Sequence, residues 1–254
     1  MQSQTITELI DLNRQFYQNF ALPFANTRRR IQPGVRRILD DINLEADWLD
    51  IGCGSGTLAL VWREQYLQRG CTHSSYLGID FSSGLLTEAQ KNISDLPAEL
   101  QIEFSQADIS QPDWPLPFQT RKFDGVLSFA VLHHIPGETL RLAILRSIRG
   151  LLKPGGSFIH SEWQFQNSPR LAARVMDWSA VNLDQNELEP GDTLLDWRHT
   201  LPGQPDQPGL RYVHRFTLDE LERLAAQSGF SVSETFESDG QGGRLGLYQI
   251  WQAV

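Results

Sequence analysis

Residues Trp48 to Leu60 read WLDIGCGSGTLAL, with Gly52, Gly54 and Gly56 set one residue apart directly after an apolar run that contains Asp50. A glycine turn between a strand and a helix lets backbone approach a ligand closely, because no Cβ intervenes. A dinucleotide asks for G-x-G-x-x-G with its pyrophosphate on the helix N-terminus, and Thr57 stands where the last glycine belongs. A phosphate loop asks for G-x-x-x-x-G-K-[ST], and no lysine follows here. Asp50, two residues before the first glycine, is a poor neighbour for a pyrophosphate. The loop suits a ligand with a nucleoside and no phosphate. Two further aspartates end strand-like runs. Asp80 closes YLGID, where a carboxylate can accept both ribose hydroxyls, and Asp108 closes QAD, where one can accept from an adenine amino group. Five arginines crowd the stretch from Arg28 to Arg37. The arginine fork matches carboxylate or phosphate. His133 and His134 follow an apolar run, and strand alternation predicts one side chain toward a substrate pocket and the other toward the interior.

These pieces, taken in order, resemble the motifs of class I S-adenosylmethionine-dependent methyltransferases. The resemblance implies S-adenosylmethionine as cofactor. Asp50, Gly52, Cys53, Gly54 and Gly56 then form the binding loop. Asp80 and Phe81 belong at the ribose, Asp108 and Ile109 at the adenine, and Ser128 and Phe129, in FDGVLSFAVLHHI, at the methionine moiety. LLKPGGSFIHSEW resembles the family's turn into its fifth strand.

A narrower resemblance is to the tRNA methyltransferases that esterify 5-carboxymethyluridine at the wobble position. It rests on FYQNFALPFANTRRRIQPGV before the glycine loop, AVLHHI in the middle, and GDTLLDW with LRYVHRFTLDELERLAAQSGF near the C-terminus. Ile31 and Gln32 stand where that family usually carries a tryptophan before the proline. The resemblance implies a carboxylate acceptor, in tRNA or in a small molecule, and a small activating protein or a second copy of the chain as partner. A carboxylate is already ionised at neutral pH, so it needs a clamp rather than a base. Arg28 is the first candidate for that clamp and Arg211, in LRYVH, the second. His134 is the candidate base for a hydroxyl or amine acceptor. A small-molecule O-, N- or C-methyltransferase and a silent cofactor-binding subunit are the competing readings.

The elements that must position these residues alternate. ADWLDI, SYLGID, QIEFSQAD, FDGVLSFA and GSFIHSEW read as strands, with helices in TLALVWREQYLQRG, SGLLTEAQKNI and GETLRLAILRSIRGLL. That order predicts an α/β fold, a doubly wound, mostly parallel sheet of seven strands once FSVSETFES and LYQIWQAV are added. We read residues 1–44 as N-terminal helices, 45–163 as a Rossmann-like cofactor-binding core, 164–215 as a cap insertion and 216–254 as a closing helix and two strands. The first helix carries Ile6, Leu9, Ile10, Asn13, Phe16, Tyr17 and Phe20 at helical spacing, with Thr5 and Glu8 as a capping box; a second starts at Pro33. The cap is expected as a partly helical lid that supplies Trp178 or Trp197 to the pocket. A chain of 254 residues, 40% apolar and 21% charged, has ordinary globular composition. It has no apolar run of transmembrane length and no signal-peptide start. Two cysteines suit a reducing, cytoplasmic setting, and Cys71-x-His73 lacks the second pair of a metal site. The net charge of −9 argues against broad nucleic-acid binding, while the arginine stretch is a local exception.

Overall fold

The structure is a computed structural model that describes residues 1–27, 30–93, 96–199 and 207–254. Helices α1 (Ser3–Thr27) and α2 (Pro33–Asp41) precede the first strand. Strands β1 (Asp47–Ile51), β2 (Ser74–Asp80), β3 (Leu100–Gln106), β4 (Phe123–Phe129) and β5 (Leu152–Trp163) then alternate with α3 (Thr57–Arg69), α4 (Ser83–Asn92) and α5 (Glu138–Leu151). The first five strands run parallel. The central strands β1, DWLDI, and β4, FDGVLSF, are largely apolar and buried because helices cover both faces, whereas the edge strand β3, LQIEFSQ, is partly exposed. Successive residues of β1 serve opposite faces. Trp48 joins Val35 of α2 and Trp62 of α3, while Leu49 joins Ile144 and Ile148 of α5.

Beyond β5 lies a short helix α6 (Pro169–Ala172), followed by β6 (Val175–Met176), β7 (Asp192–His199) and β8 (Gln207–His214). Helix α7 (Leu218–Ser228) and strands β9 (Phe230–Ser238) and β10 (Gly246–Ala253) complete the chain. Strand β10 lies antiparallel between β5 and β9, giving the order β3-β2-β1-β4-β5-β10-β9 and seven strands. This is the doubly wound sheet the alternation implies.

Two expectations differ from what is found. The segment read as a helical lid forms chiefly a three-stranded antiparallel sheet, β6-β7-β8, with only short helical turns. Long apolar stretches such as TLLDW and LRYVH pair across β7 and β8, which sequence periodicity alone did not separate from helix. Trp178 is buried with Leu9, Leu194 and Tyr212, and Trp197 sets its ring against Phe16 with centroids 5.7 Å apart. Both pack the cap onto α1. Likewise the capping box is absent, because α1 already begins at Ser3. Thr5 Oγ1 instead donates to Glu187 Oε2 at 3.1 Å.

The small sheet is fastened by contacts between polar side chains. Arg141 of α5 reaches Glu189 at 2.5 Å, and His214 of β8 lies between Asp192 at 2.7 Å and Glu220 of α7 at 3.0 Å. Among the described residues no helix is long and apolar enough to cross a membrane.

Candidate active site

A cavity of about 500 Å³ opens at the carboxyl ends of the parallel strands, where open α/β sheets bind ligands. In-register pairing of Ile51 with Ile79 and of Asp80 with Gln106 brings the loops after β1, β2 and β3 to that one edge. The glycine loop is anchored by Gly52 and Cys53, whose N–H groups donate to the Ile79 carbonyl at 2.8 and 3.0 Å. Gly54 has φ +54°, and a Cβ placed there would find no atom within 4 Å, so its bare backbone faces open cavity. Gly56 is different. It does not line the cavity, and a Cβ on it would stand 2.9 Å from the Ala89 Cβ of α4. Without a Cβ, Gly56 lets the start of α3 pack closely on α4.

Asp50, Gly52, Cys53, Gly54, Asp80, Phe81, Asp108, Ile109 and Phe129 all line the cavity. Ser128 does not. It is fully buried, and its hydroxyl has no hydrogen-bond partner. The last residues of β4 alternate, so Phe129 rather than Ser128 turns outward. Asp80 is buried and ties two loops together. Its Oδ2 accepts from the Gly54 N–H and its Oδ1 from the Ser82 N–H, each at 2.9 Å. Burial raises the pKa of Asp80, and those two hydrogen bonds oppose the rise. For Asp108, hydrogen bonds from Ser110 and Arg14 outweigh burial and hold the carboxyl below its usual range. Burial pushes the Cys53 thiol well up, so it stays neutral.

Asp50 is pushed up to about 7 by burial, against a hydrogen bond from the Tyr76 hydroxyl. Between about pH 4 and 7 the folded, ligand-free protein therefore holds a proton at Asp50 that the unfolded chain has released. Stability is lost as pH rises through that window, by about 4 kcal/mol at most. Asp50→Asn removes this contribution, so its gain over the parent in denaturant unfolding should be larger at pH 8 than at pH 5. A difference independent of pH would contradict the assignment. A bound cation beside Asp50 would favour the ionised form.

On the other flank His134 lines the cavity while His133 is buried. The two are not on strand β4, as strand alternation assumed. They lie in a tight helical turn, Leu132–His134, with ring centroids 4.4 Å apart. His134 Nδ1 lies 3.1 Å from the Tyr212 carbonyl and Nε2 2.8 Å from the Tyr17 hydroxyl. His133 Nδ1 and its own N–H both meet the buried Glu162, at 3.0 and 3.1 Å. Burial raises the Glu162 pKa far above the usual carboxylate range. Just beyond β4, Ala130 takes φ +60°, a backbone outlier of the kind found at ligand sites.

Arg28 lies outside the described residues. Arg211 does not line the cavity; it is buried, with its guanidinium 4.7 Å from the Trp163 ring and 5.4 Å from Phe16. It packs behind Trp163, which lines the cavity wall. Arg30 lines the cavity and is exposed. The contribution missed from sequence is helix α1, whose Asn13, Arg14 and Tyr17 line the cavity. The signal was there: Asn13 sits on an otherwise apolar face and is buried, which a polar residue is not without partners.

Residues 49–158 match the family model described as a methyltransferase domain. The tRNA (carboxymethyluridine(34)-5-O)-methyltransferase of Schizosaccharomyces pombe is 25% identical over 239 residues, covering 87% of this chain and 89% of that protein. The Macaca fascicularis enzyme of that name is 28% identical over 152 residues, 60% of this chain but 20% of that longer protein. Among solved structures, a Methanosarcina mazei S-adenosylmethionine-dependent methyltransferase superposes with a TM-score of 0.62 at 23% identity, over 88% of this chain and 98% of that one. A chain of the Haloferax volcanii complex between the Trm112 methyltransferase activator and a methyltransferase gives 0.61 at 17% identity, over 94% and 96%.

Proposed function

We propose that this chain, an S-adenosylmethionine-dependent methyltransferase, esterifies a carboxylate, with the carboxymethyl group of a modified wobble uridine in tRNA as acceptor. The observation that carries the reading is Arg30. It stands exposed on the cavity wall with no ion-pair partner among the described residues, whereas Arg14 on the same wall is engaged by Asp108. A planar fork at the mouth suits a carboxylate. The name of the S. pombe relative supports the same acceptor class.

The cavity residues fit the cofactor. The bare Gly54 backbone leaves room for a ligand, and Asp80 and Asp108 offer acceptors for a ribose diol and an adenine amino group, the placement we propose. Asp50 supplies a carboxylate suited to a cationic tail. When bound, S-adenosylmethionine supplies an electrophilic methyl group on a sulfonium. The chain's own part is to orient and to exclude water. Arg30 holds the acceptor carboxylate, and Arg28, of the same sequence segment, is a further proposed clamp. Trp163 and Tyr17 wall off solvent. No side chain must remove a proton, because the acceptor is already ionised, so His134 keeps its bonds to Tyr17 and Tyr212.

The free thiols of Cys53 and Cys71 agree with a cytoplasmic setting, and the H. volcanii complex supports a small activating protein as partner. A small-molecule carboxylate is the second reading, favoured by the net charge of −9. Mass spectrometry of tRNA nucleosides from cells lacking the protein separates the two. Loss of the methyl ester with accumulation of the free acid is expected, and an unchanged nucleoside profile would reject tRNA as the acceptor.

A further inference from the structure

Helix α1 touches three of the loops that surround the cofactor cavity. Arg14 Nη2 lies 2.9 Å from Asp108 Oδ2, after β3. Tyr17 meets Phe81, after β2, edge to face with centroids 6.1 Å apart. Asn13 Nδ2 donates to the His134 carbonyl, after β4, at 3.1 Å. Asn13 also pairs with both backbone groups of Tyr212 in β8, at 2.8 and 3.1 Å, which ties the helix to the cap sheet. Arg14 acts as a fork, with Nη1 on Asp11 and Nη2 on Asp108. The other oxygen of Asp108 accepts from the Ser110 N–H and hydroxyl at 3.0 and 2.6 Å. Both carboxylate oxygens are thereby fixed, one of them from a helix 94 residues away in the chain.

We infer that Arg14 is a cofactor-positioning residue: acting through Asp108, it fixes the acceptor that reads the exocyclic amino group of adenine and docks α1 over that end of the cavity. This rests on the placement of adenine at Asp108 proposed above. An ionised carboxylate only accepts hydrogen bonds, so it welcomes the amino group of adenine and repels an oxo group at the same position. A carboxylate pinned on both oxygens cannot turn away to relieve that repulsion. Without Arg14 it can rotate toward solvent, which weakens the amino contact and softens the penalty together.

Calorimetry with S-adenosylhomocysteine and with its analogue carrying hypoxanthine in place of adenine tests this. Arg14→Ala should bind the adenine compound about tenfold more weakly and show a smaller ratio between the two compounds. Arg14→Lys, which keeps the charge and loses the fork, should recover part of both. A purely structural role would lower affinity for the two compounds equally and leave the ratio intact, which overturns the inference. Asp108→Asn separates the premise from the conclusion. If the ratio ignores Asp108→Asn, the adenine placement is wrong. If it responds to Asp108→Asn and not to Arg14→Ala, Arg14 has no positioning role. Should the alanine variant not fold, the ratio in Arg14→Lys decides, and a value equal to the parent's refutes the fork.

Discussion

Asp80→Ala is expected to weaken S-adenosylhomocysteine binding by at least about a hundredfold in calorimetry. Removing an ionised acceptor from a polar ligand contact costs about 1.5–3 kcal/mol. Here the same carboxylate also accepts the Gly54 and Ser82 N–H groups, both at 2.9 Å. Asp80 is only 8% exposed, so water does not readily replace it, and each orphaned N–H costs a further ~1–3 kcal/mol. The glycine loop and the loop after β2 lose their shared anchor together with the proposed ribose contact. Asp80→Asn should be milder, because an amide oxygen still accepts from one of the two donors. Affinity within threefold of the parent in Asp80→Ala would sink the ribose placement.

With a carboxylate acceptor, Arg30→Ala should reduce kcat/KM by roughly 10- to 150-fold, and Arg28→Ala is expected to act in the same direction. His134→Ala should cost much less, since its ring bonds Tyr17 and Tyr212 and no base is required. At saturating S-adenosylmethionine, which favours ionised Asp50, kcat should stay level from about pH 6 to 9. A hydroxyl or amine acceptor predicts the opposite pattern, a rate that falls below about pH 7 and a severe histidine variant. That outcome would replace the carboxylate reading with methylation of a protic small molecule.

The residues that line the cavity through short-range rules were legible in the sequence. A glycine turn after a buried strand, and aspartates at the ends of the next two strands, follow from local periodicity, and parallel pairing brings them to one edge. Local spacing also gave the sheet and its flanking helices, because each strand and helix carries its own apolar period. Distinctions among neighbouring positions were not legible. Gly54 and Gly56 look alike in sequence, yet one faces open cavity and the other faces Ala89 of α4. Ser128 and Phe129 are adjacent and fall on opposite faces of β4, and what packs on each face decides which one opens to the cavity.

What only the tertiary structure decided lies at long range. Arg14 reaching Asp108, Tyr17 reaching His134 and Asn13 pairing with Tyr212 join residues 94, 117 and 199 positions apart. No local propensity encodes such a contact, because it depends on where helix α1 and the cap sheet come to rest. Arg211 makes the same point in reverse. Its motif suggested a ligand contact, but the packing of β8 on α1 places its guanidinium against Trp163 and Phe16. The sequence by itself determined the fold class and the glycine loop and aspartates at the cavity edge, since these rest on backbone conformation and strand ends. Which of the described arginines meets the cavity, and which helix lines it, was decided by how distant elements share one core.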